Sequence, residues 1–250
     1  MGDARRPGYD YPLGDLIDFH CHILPGIDDG AKDINVSWAM IDASVRQGIQ
    51  AVCFTPHFYA DRDDPEKFFQ RRDKAFIDLK RSVPTVFPVM ACGAEIHYFE
   101  GVAAMEQLMR MRITGTDLLL IEMPFRRWTD RCVADIVEIN SRKGVQVFLA
   151  HIERYLRHST PEMLSHMRSQ GVLIQSNADF VIDRSTRSRA LRMLNDGEID
   201  ILASDSHNLR SRPQNLRDAY DVIDEELGED FSEALRVRGR LLVRNILPAG

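Results

Sequence analysis

The sequence predicts a largely parallel α/β barrel in a single domain, and three observations carry that prediction. Short apolar runs alternate with amphipathic stretches along the whole chain. No shift in composition, linker or repeat interrupts that alternation. Most of the apolar runs end on a histidine or a carboxylate, as strands do when their C-terminal ends build one active rim.

Taken in order, strands are expected at residues 16–20, 49–55, 86–96, 118–123, 145–150, 172–176 and 199–203. Helical patterns fall between them at 36–47, 65–81, 102–111, 131–143, 161–170 and 186–195, and a last helical region covers 214–227 and 232–243. Thr160-Pro161 has the composition of a helix start, and Gly48, Gly144, Gly171 and Gly197 are placed to end four helices. Seven strand–helix units favour a closed or nearly closed barrel over an open sheet. Residues 1–15 carry arginine, proline and glycine but no apolar centre. They read as a flexible arm ahead of a barrel domain at 16–250, and not as a secretory leader.

The 250 residues are 44% hydrophobic and 28% charged, which suits a soluble globular protein with a real core. A formal net charge of -6 argues against general affinity for nucleic acid. No apolar run approaches the roughly 20 residues that span a bilayer. The four cysteines form no C-x-x-C pair, so free thiols in a reducing cytoplasm are expected.

The chemistry lies at the strand ends. Strand one delivers His20 and His22, which share a face at i and i+2, and the Pro/Gly-punctuated loop behind it supplies Asp28 and Asp29. The following strands end on His57, Glu95, Glu122, His151, Gln175-Ser176-Asn177 and Asp205-Ser206-His207. Nine candidate ligands thus meet at one rim: His20, His22, Asp29, His57, Glu95, Glu122, His151, Asp205 and His207. One catalytic zinc takes about three protein ligands, so nine suit two or three ions. Imidazole and carboxylate without thiolate fit manganese, iron(II) or zinc. Asp18 and Asp28 are expected to orient histidines.

The segments DFHCHILPGIDDG, TPH, GAEI, IEM, AHIERY and ASDSHN, in this order, resemble the PHP (polymerase and histidinol phosphatase) superfamily. Within it the chain is similar to bacterial manganese-dependent protein-tyrosine phosphatases of capsule and exopolysaccharide operons. The resemblance runs from about Leu16 to the C-terminus, and HIERY and SDSHN are its most specific parts. It implies a distorted (β/α)7, TIM-like barrel that binds three metals, usually manganese, through the same nine residues. It also makes Arg154 and Arg212 candidates to hold the phosphate. The implied substrate is a phosphotyrosine protein, and the relatives point to a membrane-associated tyrosine kinase visited from the cytoplasm. His97 stands where relatives often carry an aromatic residue, and it is expected to line the substrate pocket.

The expected reaction is hydrolysis of the phosphotyrosine ester by a metal-bridging hydroxide. No cysteine is followed six residues later by arginine, because Ile27, Tyr59, Tyr98 and Glu138 stand there; a cysteine-phosphatase loop is therefore absent. No G-x-x-x-x-G-K-[ST] motif occurs either. The rival reading is a phosphoesterase of the same superfamily acting on a small monoester such as histidinol phosphate. The sequence leaves open whether the chain forms a homo-oligomer.

Overall fold

The computed structural model describes residues 14–82 and 88–248. Nine strands and nine α-helices lie in these segments, and every strand pairing is parallel. β1 (Leu16–Cys21), β2 (Ile49–Phe54) and β4 (Val89–Cys92) form a three-stranded sheet in the order β1-β2-β4. β3 (His57–Phe58), β5 (Glu95–His97), β6 (Leu118–Glu122), β7 (Gln146–Leu149), β8 (Leu173–Asn177) and β9 (Ile201–Ala203) form a six-stranded sheet in that order.

These strands make the seven staves that the alternation predicts. β2 runs into β3 and β4 into β5, so two staves belong to both sheets. The expected strand at 86–96 is therefore two strands, and its first two residues lie outside the described segments. The interruption falls at Gly93, where a Cβ would stand 3.0 Å from Ile113. The 113–114 segment lies against the end of β4 there, and Thr114 N–H bonds to the Cys92 carbonyl at 2.9 Å. The ring closes beyond β9: Asp205 N–H donates to His20 O and His22 N–H to Ser206 O, both at 2.8 Å. The result is a distorted α/β barrel in one domain.

The helices are α1 (Ile34–Arg46), α2 (Pro65–Ser82), α3 (Leu108–Met111), α4 (Asp130–Asn140), α5 (Pro161–Ser169), α6 (Ala178–Ile182), α7 (Arg187–Asn195), α8 (Leu216–Leu227) and α9 (Glu229–Leu242). Their ends follow local chemistry. The Asp33 carboxylate caps α1 on Asn35 and Val36, and Thr160 caps α5 on Met163 with Pro161 in the first turn. Gly48, Gly144, Gly171 and Gly197 all take the left-handed conformation that ends a helix. The helix expected over 102–111 is instead a 3-10 turn at Val102–Ala104, an extended Met105 and the single turn of α3. Its apolar residues Val102, Ala103, Leu108 and Met111 are still buried. α6, which follows β8 without a loop, has no counterpart in the sequence expectation.

Two apolar layers hold the barrel. Inside it small residues (Ala51, Cys53, Ala91, Ala150, Ala203) leave room for Phe19, Leu120 and Phe148, whose two rings pack edge to face at 6.5 Å. Val243, with Leu242, Ile246 and Leu247, plugs the end away from the histidines. A larger layer joins the outer strand faces to the helices. Of the expected arm only Gly14 and Asp15 lie within the described residues, where Asp15 pairs with Arg217 at 3.2 Å. The other residues of that arm are outside them.

Candidate metal centre

Parallel strands send all their C-terminal ends to one rim, and there the structure brings the nine candidate ligands together. The side chains of His20, His22, Glu95, His151, Asp205, His207 and Glu122 are buried. His57 is partly buried, whereas Asp29 is 64% exposed at the lip. Register places them: His57 lies beside Glu95 across β3–β5, and His97 beside Glu122 across β5–β6. A Cβ at Gly30 would come within 2.0 Å of the His22 carbonyl, so only glycine lets the 28–30 loop close behind that histidine.

Glu95 is the hub. Its Oε2 is 3.2 Å from His20 Nε2, 3.3 Å from His22 Nε2 and 2.9 Å from His57 Nδ1, while Oε1 is 3.0 Å from His151 Nε2. Asp205 Oδ1 is 3.4 Å from both His20 and His22 Nε2. Asp29 bridges His57 at 3.5 Å and His207 at 3.4 Å. Glu122 approaches His151 at 3.4 Å. Three subsets have donor atoms all within 4.8 Å of one another: His22/Asp29/His57/His207, His20/His22/Glu95 and His57/Glu95/Glu122. His151 and Asp205 stand at the edges of these subsets.

The hydrogen bonds fix which nitrogens carry protons. The Gln175 amide oxygen accepts the His151 backbone N–H at 2.8 Å, which sets the orientation of that amide. The same oxygen therefore takes the His20 Nδ1 proton at 3.2 Å. His22 Nδ1 donates to Asp28 Oδ2 at 2.7 Å, and His207 Nδ1 to the Asp205 carbonyl at 2.8 Å. The Nε2 atoms of His20 and His22 are left to take a cation, a proton or a metal, and they face each other at 3.1 Å. Glu95 Oε2, His57 Nδ1, His151 Nδ1 and His207 Nε2 are buried with no aligned hydrogen-bond partner. Lone pairs this close repel unless a cation lies among them, so the donor set fits divalent metal ions.

The electrostatics agree. Burial disfavours ionised Glu95, but the His20 and His57 charges and the His151 bond hold its pKa well below the usual range. Asp205 is likewise lowered against burial by His20 and His22. Burial also works against protonated His151, yet its bonds to Glu122 and Glu95 lift it to about 9. His207 goes the other way: burial and the neighbouring His22 charge bring it down to about 3. The carboxylates thus draw positive charge onto the inner histidines, the demand that a metal would meet. Two of these residues are also strained. Among the described residues His151 (φ 30°) and Asp205 (φ 51°) are the non-glycine residues with positive φ.

Arg154 and Arg212 both reach Asp205 Oδ2, at 2.7 and 2.6 Å, from the segments after β7 and β9, and each is about a third exposed. Asp28 orients a histidine as expected. Asp18 holds no imidazole: it accepts from the His20 backbone N–H at 3.4 Å, from Ser204 N and Oγ and from Gln214 Nε2, tying β1 to the loop that carries Asp205. His97 Nδ1 bonds Glu122 Oε2 at 2.7 Å, and it lines a groove of about 600 Å³ with Tyr59 and Phe125. The sequence reading assigned no role to Gln175 or Asn177. Gln175 Nε2 donates to Asn177 Oδ1, and Asn177 Nδ2 donates to Asp205 Oδ2, both at 2.9 Å, so one relay joins His20, His151 and Asp205. Their place at the C-terminal end of β8 was the available signal.

Residues 16–241 match the family described as capsular polysaccharide synthesis, CpsB/CapC. The chain belongs to this family. It is 30% identical to the tyrosine-protein phosphatase YwqE of Bacillus subtilis (strain 168), over 92% of each chain. To the tyrosine-protein phosphatase CpsB of Streptococcus pneumoniae it is 28% identical, over 89% of this chain and 95% of that one. A crystal structure from work on YwqE and S. pneumoniae CpsB, described as unique metal-dependent tyrosine phosphatases, superposes with a TM-score of 0.78 and 29% identity. That superposition covers 92% of this chain and 95% of the other. The CpsB/CapC assignment agrees with the resemblance read from the motifs. Among the described residues no helix is long and apolar enough to cross a membrane.

Proposed function

We propose that this CpsB/CapC chain is a metal-dependent protein-tyrosine phosphatase of the cytoplasm. Residues 16–250 form its catalytic domain, and its substrate is a membrane-associated tyrosine kinase controlling capsule or exopolysaccharide synthesis. The observation that carries the reading is the lone-pair cluster of His20, His22 and Glu95 beside two arginines that converge on Asp205. One part calls for cations, and the other suits a phosphoryl group.

His20, His22, Asp29, His57, Glu95, Glu122, His151, Asp205 and His207 would hold two or three divalent ions, manganese first and iron(II) or zinc as rivals. Bound there, such ions supply a nucleophilic water at neutral pH and offset phosphoryl charge. The protein does the rest. Arg154 and Arg212 turn donors toward the rim, where a phosphoryl oxygen can exchange places with the Asp205 carboxylate. Gln175 and Asp28 keep the Nδ1 protons of His20 and His22 in place, so both Nε2 atoms remain donors to metal. The phenolate of tyrosine leaves readily and needs little help from an acid.

The test is turnover of a phosphotyrosine peptide after chelation, with manganese, iron(II) and zinc added back singly and histidinol phosphate run in parallel. Restoration by manganese with preference for the peptide supports the reading. Preference for histidinol phosphate, or activity indifferent to chelation, overturns it.

A further inference from the structure

We infer that the groove beside Glu122 is an aryl clamp, in which Phe125 and Tyr59 select an aromatic phosphate ester over an alkyl one. This deepens the phosphatase reading and rests on it. The groove of about 600 Å³ meets the cage at Glu122 and His97, so a phosphoryl group at the metals would project its ester substituent between these rings.

Phe125 has no core role: it is 52% exposed although aromatic. It is nonetheless held in place. Trp128, almost fully buried, donates its indole N–H to the Pro124 carbonyl at 3.3 Å and its backbone N–H to His158 O at 2.8 Å, anchoring the loop. The Phe125 ring lies 17° from parallel to His151, with centroids 6.3 Å apart, and 5.3 Å from Tyr155. Candidate metal ligand and aromatic wall are thus packed on each other, and the exposed remainder of the Phe125 ring is available to substrate.

Tyr59, which also lines the groove, is likewise packed on histidines. Tyr59 sits 5.2 Å from His57 and 5.4 Å from His97, with the Arg62 guanidinium 5.0 Å from its ring centre. Arg62 is a surface side chain, 72% exposed, that a substrate can displace or stack upon. A phenyl ring entering between the walls gains edge or offset contacts on both sides, while a short alkyl chain leaves them wet. An exposed Phe125 beside a polar cage is otherwise a solubility cost without return.

The experiment compares kcat/KM on phosphotyrosine and phosphoserine, and inhibition by benzylphosphonate and ethylphosphonate, for the full chain and for F125A and Y59A. Phosphonates remove leaving-group chemistry from the comparison. The aryl-to-alkyl ratio is expected to fall about threefold to tenfold in each variant, the range of one aromatic contact, mainly through KM and Ki. F125W should restore it. A ratio unchanged in both variants, or F125W behaving like F125A, overturns the clamp. A wild-type protein that prefers phosphoserine would instead overturn the phosphotyrosine reading, and the phosphonate pair would still decide whether Phe125 and Tyr59 favour aryl groups.

Discussion

Glu95 and Asp29 are both carboxylates at the same rim, but one is wholly buried and the other is 64% exposed. Glu95 touches four histidines, three of them buried; Asp29 touches two histidines at the lip. A buried charge of this kind persists only if opposite charge surrounds it. On the proposed reading the deep part of the cage would hold cations, and the lip would exchange ligands with solvent and substrate. Removing the two carboxylates one at a time should separate these roles. Glu95→Gln is expected to strip metal and to cut activity by more than the roughly 100-fold that loss of an outer partner costs. Asp29→Asn should stay within that range and respond to added metal. Metal content by elemental analysis and kcat at saturating metal test this; equal losses in the two variants would abolish the distinction.

The arginines rank next. Arg154→Ala and Arg212→Ala should each lower kcat/KM by about 10²–10³, the cost of one preorganised donor to developing charge. Both bond the same Asp205 oxygen, so the double variant should lose less than the product of the two. Strict multiplicativity would mean that they act at separate places. Arg→Lys keeps the charge but loses the fork, and should recover only part of the activity.

A smaller effect is expected behind the cage. Gln175→Ala removes the acceptor for His20 Nδ1 and for the His151 backbone N–H, and frees the Asn177 amide that steadies Asp205. Metal affinity should fall about 10–100-fold with the fold intact, as is usual for loss of a group that orients ligands. Titration calorimetry with the chelated protein measures it directly. Unchanged affinity would mean that His20 needs no such support.

The parts of this centre that a sequence reveals are those whose chemistry is rare away from a site. Five histidines at strand ends, with four acids among them, have no common structural use, and parallel topology delivers every strand end to one place. Amides and aromatics carry no such mark. Gln175 and Asn177 look like ordinary strand-end polar residues until the relay is seen, and Phe125 looks like any apolar loop residue. Asp18 resembles Asp28 in sequence, yet its carboxylate fastens Ser204 and Gln214 and no imidazole. Its burial raises its pKa despite those bonds. The interruption at Gly93 escaped because it arises from contact with Ile113, twenty residues on in the chain.

The weakest expected effect returns to the contrast between protons and metal in the deep cage. In chelated protein His151 has a pKa of about 9 against an ordinary 6.5, and His22 and His57 are raised as well, their carboxylate partners outweighing burial. Groups raised on folding stabilise fully below the unfolded value, and that stability is lost as pH climbs through the folded one. Chelated protein should therefore melt at a higher temperature at pH 6.5 than at pH 9. His207, brought down to about 3, is neutral in the folded protein throughout this window, and it works against folding as pH falls through the ordinary 6.5, a cost that is still small at pH 6.5 and grows toward acid. With saturating metal the slope should reverse, because cations displace those same protons and bind more weakly as pH falls. Thermal melts at the two pH values, with chelator and with manganese, give the answer. Parallel slopes would mean that the histidine protons and the metal do not compete for one set of atoms. His151→Asn should flatten the chelated slope most if the Glu95–His151–Glu122 contact is where that competition is strongest.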